Sequence, residues 1–421
     1  MAGLRGFALK AGQSFRNYNF RLFWTGQLIS QCGTWMQSVA QAWLVLEIAH
    51  SPVALGTVTA LQFLPITLGS MMASVLVDRI PKRRLLAITQ TAALIQASLM
   101  AALYASGHIQ LWHIYLLALF LGCTNALDAP TRQSFVMELV GRESLVNAVG
   151  LNSAIQSGSR LVGPAIGGLV IATLGLTVCF AANAVSFLAV LLCLALMRPA
   201  DFYAVAERAP RQPGNYWREL LAGARFVFRD PELAGLVLVL TTLGVFGFNY
   251  ATMIPLFATQ GLGLGPEGFG LLQAAVGVGA LVAAISLAGS ERPATWRILA
   301  AGACFGILQL SSSQARWFPL AMLLVAGFAC CGTFFSMSSN STLQLRSPDN
   351  LRGRVMGLYT TLVMGATPLG ALLTGLLAKA AGIRWTMFTW GSLCLTASLL
   401  GLAYTATLAR RTSVEYSVQP R

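Results

Sequence analysis

The sequence predicts an all-α integral membrane protein, with twelve transmembrane helices arranged as two six-helix bundles. Three observations predict it. Only 10% of the 421 residues are charged and 56% are hydrophobic, whereas soluble domains are about half apolar even when glycine is counted. Apolar runs of membrane-spanning length recur twelve times from Leu22 almost to the C-terminus. A hydrocarbon layer about 30 Å thick needs about 20 such residues per helix, because no water there satisfies a bare peptide group. Finally, the basic residues collect on one side of the topology that these runs generate, as cytoplasmic loops do.

In order, the expected spans are Leu22 to Leu46, Ala54 to Val77, Leu85 to Ser106, Leu111 to Pro130, Gly150 to Leu174 and Leu176 to Met197. The second set is Leu233 to Ala258, Gly268 to Gly289, Trp296 to Ser313, Phe318 to Thr342, Val355 to Ala378 and Arg384 to Leu408. The ninth is the shortest and ends in Ser311, Ser312 and Ser313; were it not to cross, every later loop would change sides. The first is far longer than the roughly 7 to 15 residues of a signal-peptide core and is interrupted by Gln27, Gln31 and Gln41, so it is expected to stay as the first helix.

With the N-terminus placed inside, the cytoplasm receives Arg5, Lys10, Arg16, Arg21, Arg79, Lys82, Arg83, Arg84, Arg132 and Arg142. It also receives Arg198, Arg208, Arg211, Arg218, Arg225, Arg229, Arg292, Arg297, Arg346, Arg352, Arg354, Arg410, Arg411 and Arg421. The opposite side receives Arg316, Lys379 and Arg384 alone. Both termini are therefore expected inside. The net charge of +14 then reflects topology and attraction to anionic lipid heads, not nucleic-acid binding.

The eight cysteines all fall within expected spans and form no C-x-x-C pair, which reads as small reduced packing residues. His50, His108 and His113 fall on the outer side, and no metal or cofactor is expected.

The chain divides near its middle into residues 1–198, a cytoplasmic linker over 199–230, and residues 231–421. Pro199 to Trp217 is the longest polar stretch between spans. After it, Leu220, Leu221, Ala224, Val227 and Phe228 recur at helical spacing beside Arg218, Arg225 and Arg229. Such a segment either lies along the cytoplasmic lipid surface and couples the halves, or extends the seventh span. Six plus six is the pattern of parallel duplication in secondary transporters. Gly163-Pro164 with Gly167 in the fifth span has a counterpart in Thr367-Pro368 with Gly370 in the eleventh.

Between the second and third spans runs Ser74-Val75-Leu76-Val77-Asp78-Arg79-Ile80-Pro81-Lys82-Arg83-Arg84. It resembles the cytoplasmic signature of the major facilitator superfamily, G-x-x-x-D-R-x-G-R-R-R, with Ser74 and Pro81 in place of two glycines. The resemblance implies a latch in which Asp78, Arg79 and Arg83 hold one conformation by charge pairing at helix ends. Asp128 and Arg132, at the inner end of the fourth span, belong to the same latch; a plain basic loop is the alternative for the arginines but not for Asp78.

The fifth span carries Gly150, Ser159, Gly163, Pro164, Gly167 and Gly168. It is similar to the antiporter signature of that superfamily, G-x8-G-x3-G-P-x2-G-G, with Ser159 at one glycine position. Small residues here let helices approach closely, and Pro164 removes a backbone hydrogen bond so the helix can flex. Glycine-rich packing without directional meaning is the alternative. Three further segments, Asn17 to Trp24, Asp128 to Phe135 with Glu138 to Val140, and Pro348 to Met356, resemble the drug and siderophore exporter branch that contains the enterobactin exporter and macrolide efflux proteins.

One charge stands inside a span, Arg160 near the middle of the fifth. An intramembrane arginine faces a wet cavity or a partner, or else snorkels to the surface, so Arg160 is a candidate for an anionic or oxygen-rich substrate. Gln27, Gln31, Thr34, Ser38 and Gln41 fall on one face of the first span, either lining a wet path or bonding other helices. Asn125, Asn152, Gln156, Asn249, Tyr250, Asn340 and Gln344 are candidates to meet that path, with Trp35, Phe63, Phe246 and Phe334 as aromatic surface or packing. Glu47 and Asp128 are the candidates for proton coupling; their plain readings are an exposed loop acid and a partner for Arg132.

A phosphate loop G-x-x-x-x-G-K-[ST], an H-E-x-x-H zinc helix and a G-x-S-x-G nucleophile turn are all missing from the chain, so no enzyme or ATP-driven pump is expected. The reading is a secondary active exporter of a small amphiphile, drug or siderophore, working by alternating access with proton antiport, monomeric in lipid of a bacterial inner membrane. The alternatives are a facilitator without ion coupling and a transporter-fold sensor or scaffold.

Overall fold

The computed structural model describes residues 14–203, 216–288 and 293–418. Arg5, Lys10, Arg208, Arg211, Arg292 and Arg421 lie outside the described residues, as do the side chains of Asp78, Arg218, Arg410 and Arg411. The described residues are helical almost throughout and contain no strand. Helices α1 (Tyr18–Ala49), α2 (Pro52–Arg79), α3 (Lys82–Ala105), α4 (Leu111–Val140), α5 (Leu145–Leu174) and α6 (Leu176–Leu196) supply the first six expected spans. Helix α7 (Tyr216–Arg229) follows. The seventh span is α8 (Pro231–Thr242), a π-helical turn (Leu243–Gly247), α9 (Tyr250–Leu256) and a second π-helical turn (Phe257–Gly261). Then come α10 (Pro266–Ala288), α11 (Thr295–Gln314), α12 (Phe318–Arg346), α13 (Asp349–Ala381) and α14 (Ile383–Val418).

Ten of these segments are long and apolar enough to cross a bilayer. The other two expected spans, α1 and α11, have the length but are diluted by polar residues: Gln27, Gln31, Gln37 and Gln41 in one, Gln309, Ser311, Ser312, Ser313 and Gln314 in the other. Helix α7 is not an extension of the seventh span. Asp230 stops it and caps α8, its carboxylate accepting from Glu232 N at 2.9 Å, with Pro231 at the first helical position.

The chain forms two compact units, residues 1–210 with 264–274, and residues 211–263 with 275–421. Helix α7 thus falls in the second. In the first unit α1 packs on α5 and α6, α2 on α4, and α3 on α6. In the second, α11 packs on α14 and α12, and α13 on the seventh span and α7.

The segment Asn17 to Trp24 gathers the helix ends of the first unit. Asn17 caps α1 through Phe20 N and donates to Leu139 O at 2.6 Å, at the end of α4. Asn19 bonds both ways with the Arg198 backbone at 2.9 Å, and Trp24 Nε1 reaches Leu151 O on α5. Phe20 and Phe23, wholly buried, fill the space between with Leu86, Phe135 and Leu194. The bonds to Phe20 N and Leu139 O satisfy groups that helix termini leave open.

The faint internal repeat has a structural counterpart. A Cβ at Gly163 would stand 2.6 Å from Trp35 Cβ and 2.8 Å from Cys32 O, so α5 lies directly on α1. Gly167 of the same helix, where a Cβ would stand 3.1 Å from Met36 O, has its sequence counterpart in Gly370 of α13, where a Cβ would fall onto Val245 O and 2.7 Å from Asn249 Oδ1, on the seventh span. In both places the backbones meet where a side chain would stand. Gly370→Val should lower stability by about 1–3 kcal/mol, the cost of overpacking, whereas Gly150→Ala, with open space around it, should be neutral or gain up to about 1 kcal/mol. Thermal unfolding of the detergent-solubilised protein compares the two.

Candidate functional site

In the first unit, Arg160 lies midway along α5, half buried, with its guanidinium carbon 5.2 Å from the centroid of the Trp35 ring on α1. A cation over an indole face gains from the ring quadrupole, and more so where water is scarce. The neighbouring antiporter-motif residues hold this pair in place. Gly163 and Gly167 press on Cys32 O and Met36, Gly168 stands against Gly270, and Ser159 is wholly buried with Cys32 Sγ 3.4 Å from its hydroxyl. Pro164 is buried inside a helix that continues through it.

The polar face of α1 does not share one environment. Gln27 and Gln41 are buried within the first unit, Gln31 and Thr34 are half buried, and Ser38 is exposed. Thr34 and Ser38 bond to carbonyls of their own helix, Ser30 O and Trp35 O. Glutamine 37, off that face, is the better connected residue. Its Nε2 donates to Gln96 Oε1 at 2.8 Å and its Oε1 accepts from Asn183 Nδ2 at 2.7 Å, while Ser186 donates to Asn183. All four are buried, joining α1, α3 and α6. The signal was present: Gln96 and Asn183 are amides inside otherwise apolar spans, where polar groups need partners.

Asp128 is 2% exposed and is fully engaged. Its carboxylate accepts from Thr89 Oγ1 and Gln90 Nε2 of α3, each at 2.8 Å, and pairs with Arg132 one turn along α4. Of the expected latch, Arg79 is exposed and Arg83 donates to Leu194 O at 2.9 Å and Ala195 O at 3.2 Å. Arg83 thereby places its charge on the carbonyl end of α6, where the helix dipole favours a cation. Lys82 pairs with Glu138 at 3.8 Å. Glu47 is exposed at the end of α1, Asn125 and Asn152 are half buried, and Gln156 is exposed.

In the second unit, Asn249 sits in the break of the seventh span, where Phe248 and Asn249 leave the helix. It is 2% exposed, and its Nδ2 donates to Val245 O at 2.6 Å, in the π-helical turn before it. Tyr250 stacks on Phe328 at 5.7 Å, Phe248 meets Phe305 edge-on, and Phe246 packs on Trp390. The Tyr359 hydroxyl bonds with Ser336 on α12, with the Asn340 side chain beside it. Gln344 is exposed and its carbonyl accepts from Arg352 Nε. Discontinuous membrane helices leave backbone groups open where the winding is interrupted.

Among the described residues no cluster of His, Cys, Asp or Glu could hold a metal ion, and the eight cysteines are free thiols. Asp128→Ala, which strands the Arg132 guanidinium, should cost roughly 3–5 kcal/mol, and Asp128→Ala with Arg132→Met should recover most of it. A double-mutant cycle on thermal unfolding measures the coupling.

The family model described as transmembrane secretion effector matches residues 11–417. The chain is 26% identical over 393 residues to the staphyloferrin A transporter of Staphylococcus aureus, covering 89% of this chain and 94% of that protein. It is 27% identical over 388 residues to the multidrug efflux pump Tap of Mycolicibacterium fortuitum, covering 89% and 92%. To the enterobactin exporter EntS of Shigella flexneri it is 26% identical, covering 85% and 84%. The crystal structure of a POT family transporter superposes with a TM-score of 0.74 at 10% identity over 92% of this chain and 96% of that one, which shows the fold. The chain belongs to the transmembrane secretion effector family of the major facilitator superfamily.

Proposed function

We propose that this protein is a secondary active transporter that exports a small amphiphilic molecule, a drug or a siderophore, by alternating access and in exchange for protons. In this reading it performs no chemistry on its cargo and works as a monomer in a bacterial inner membrane, with both chain ends in the cytoplasm. The observation that carries the reading is Arg160 over Trp35 at mid-helix. A fixed cation beside an aromatic face, within a span, suits a ligand that combines an anionic or oxygen-rich group with an apolar body. The relatives' cargoes, siderophores and drugs, support the same class.

A specific observation favours facilitation without ion coupling as the second reading. Of the two acids nearest a plausible path, Glu47 is exposed at a helix end and Asp128 is held by Thr89, Gln90 and Arg132. Asp128 is thus already engaged by three partners, and Glu47 stands at a helix end rather than within a span.

Both Arg160→Ala and Arg160→Lys should abolish export while the protein still reaches the membrane, because lysine restores charge but not the planar guanidinium that stacks on indole. Normal export by both variants would remove the basis of the reading. Flux of a siderophore or a macrolide in proteoliposomes, with and without an imposed pH gradient, separates the mechanisms. Gradient-driven flux is the expected result, gradient-independent flux identifies a facilitator, and no flux across a broad panel identifies a sensor or scaffold.

A further inference from the structure

We propose that α7 and the helix ends beside it form a docking surface for the anionic phospholipid headgroups of the adjoining leaflet. The helix has three distinct flanks. Gly223 and Val227 are buried, with Ala224 partly so; a Cβ at Gly223 would lie 2.7 Å from Arg354 O, and Val227 joins Leu233, Leu343 and Val355 in one apolar cluster. This flank fixes α7 to the start of α13. Leu221 and Phe228, two helical turns apart and so on one line, are 53% and 54% exposed. Beside them Arg225 and Arg229, one turn apart, are exposed as well.

The charges at this end of the second unit are out of balance. Asp230 and Glu232 face Arg346, at 3.7 and 2.6 Å, and Asp349 pairs with Arg352 at 2.7 Å. Among the described residues no carboxylate pairs with Arg225, Arg229 or Arg354. A surplus of fixed cations next to exposed apolar side chains is complementary to a headgroup layer, which is anionic outside and hydrocarbon beneath.

The depth is right for it. Helix α7 ends at Arg229, and after Asp230 the seventh span begins. Glu232 also approaches Thr295 Oγ1, at 3.5 Å, at the start of α11. The next residues, Trp296 and Arg297, are both exposed, with the guanidinium over the indole. An exposed tryptophan beside an arginine at a span end marks the membrane–water boundary. Phe228 and Arg229, immediately before the cap of the seventh span, therefore lie beside that boundary.

The test uses the full chain in nanodiscs of phosphatidylcholine, with and without admixed phosphatidylglycerol, and follows thermal unfolding. Binding to the native state alone raises the midpoint, so phosphatidylglycerol should raise it for the parent protein. R225Q/R229Q should lose most of that rise without a change in phosphatidylcholine alone. R225K/R229K should keep it, and L221S/F228S should reduce it. A full rise in R225Q/R229Q would overturn the proposal. So would an equal fall of that variant in both lipids, which would assign the arginines to contacts within the protein. Soluble glycerol phosphate added to phosphatidylcholine discs should give no rise; a rise equal to that of the lipid would replace the bilayer with a free phosphate site.

Discussion

A polar group placed in hydrocarbon has nothing to bond with except the rest of the protein, and that constraint organises both units. The carbonyls that helix ends leave open need partners as well, and long side chains from neighbouring helices meet them. Arg83 covers the end of α6, and Asn17 and Asn19 cover the ends of α4 and α6. In the second unit Arg384 reaches Ser313 O at 2.6 Å and Gly261 O at 2.8 Å, joining α11 to the end of the seventh span. Arg384 is one of the three basic residues that loop counting leaves on the sparse side. Its charge is bound to carbonyls at helix ends, so it acts as a fastening within the second unit.

With lipid tails as apolar as leucine, burial alone cannot hold helices together, and close approach must do so. The close approaches at Gly163 and Gly370 are two cases. Helices α11 and α14 meet in the same way, where a Cβ at Gly306 would stand 2.8 Å from Gly391 O. At Gly33 the vacated space is occupied by amide and hydroxyl groups: a Cβ there would lie 2.5 Å from Asn183 Oδ1 and 2.6 Å from Ser186 Oγ. Packing and polar satisfaction are thus one requirement at that point, since the glycine admits the network that Gln37 completes.

The membrane architecture was legible because scarcity of charge is a property of long windows, insensitive to any single residue. Gly167 and Gly370 were legible as glycines within three residues of Pro164 and Pro368, because close contact restricts residue type. What periodicity could not reveal was direction. Gln27 and Gln41 share a helix face with Ser38, yet the first two are buried and the third is exposed, because neighbouring helices cover α1 unevenly along its length. The ion pair of Glu232 with Arg346 links residues more than a hundred positions apart, a pairing that no local pattern encodes. The break in the seventh span was hidden for another reason. Leu243 to Gly247 is as apolar as the helix around it, and wider winding leaves no mark on composition.

That wider winding has a mechanical consequence. A π-helical turn accommodates one residue beyond what an α-helical turn holds, so the seventh span carries slack at two points, one on each side of α9. Were either turn to tighten, the surplus residue would pass along the chain and α9 would rotate by about 100°, the angle of a single helical step. Tyr250 and Met253 would then exchange the neighbours they face while α8 and the far end of the span stayed where they are. A rod built this way can twist between its two π-helical turns without being pulled at its ends.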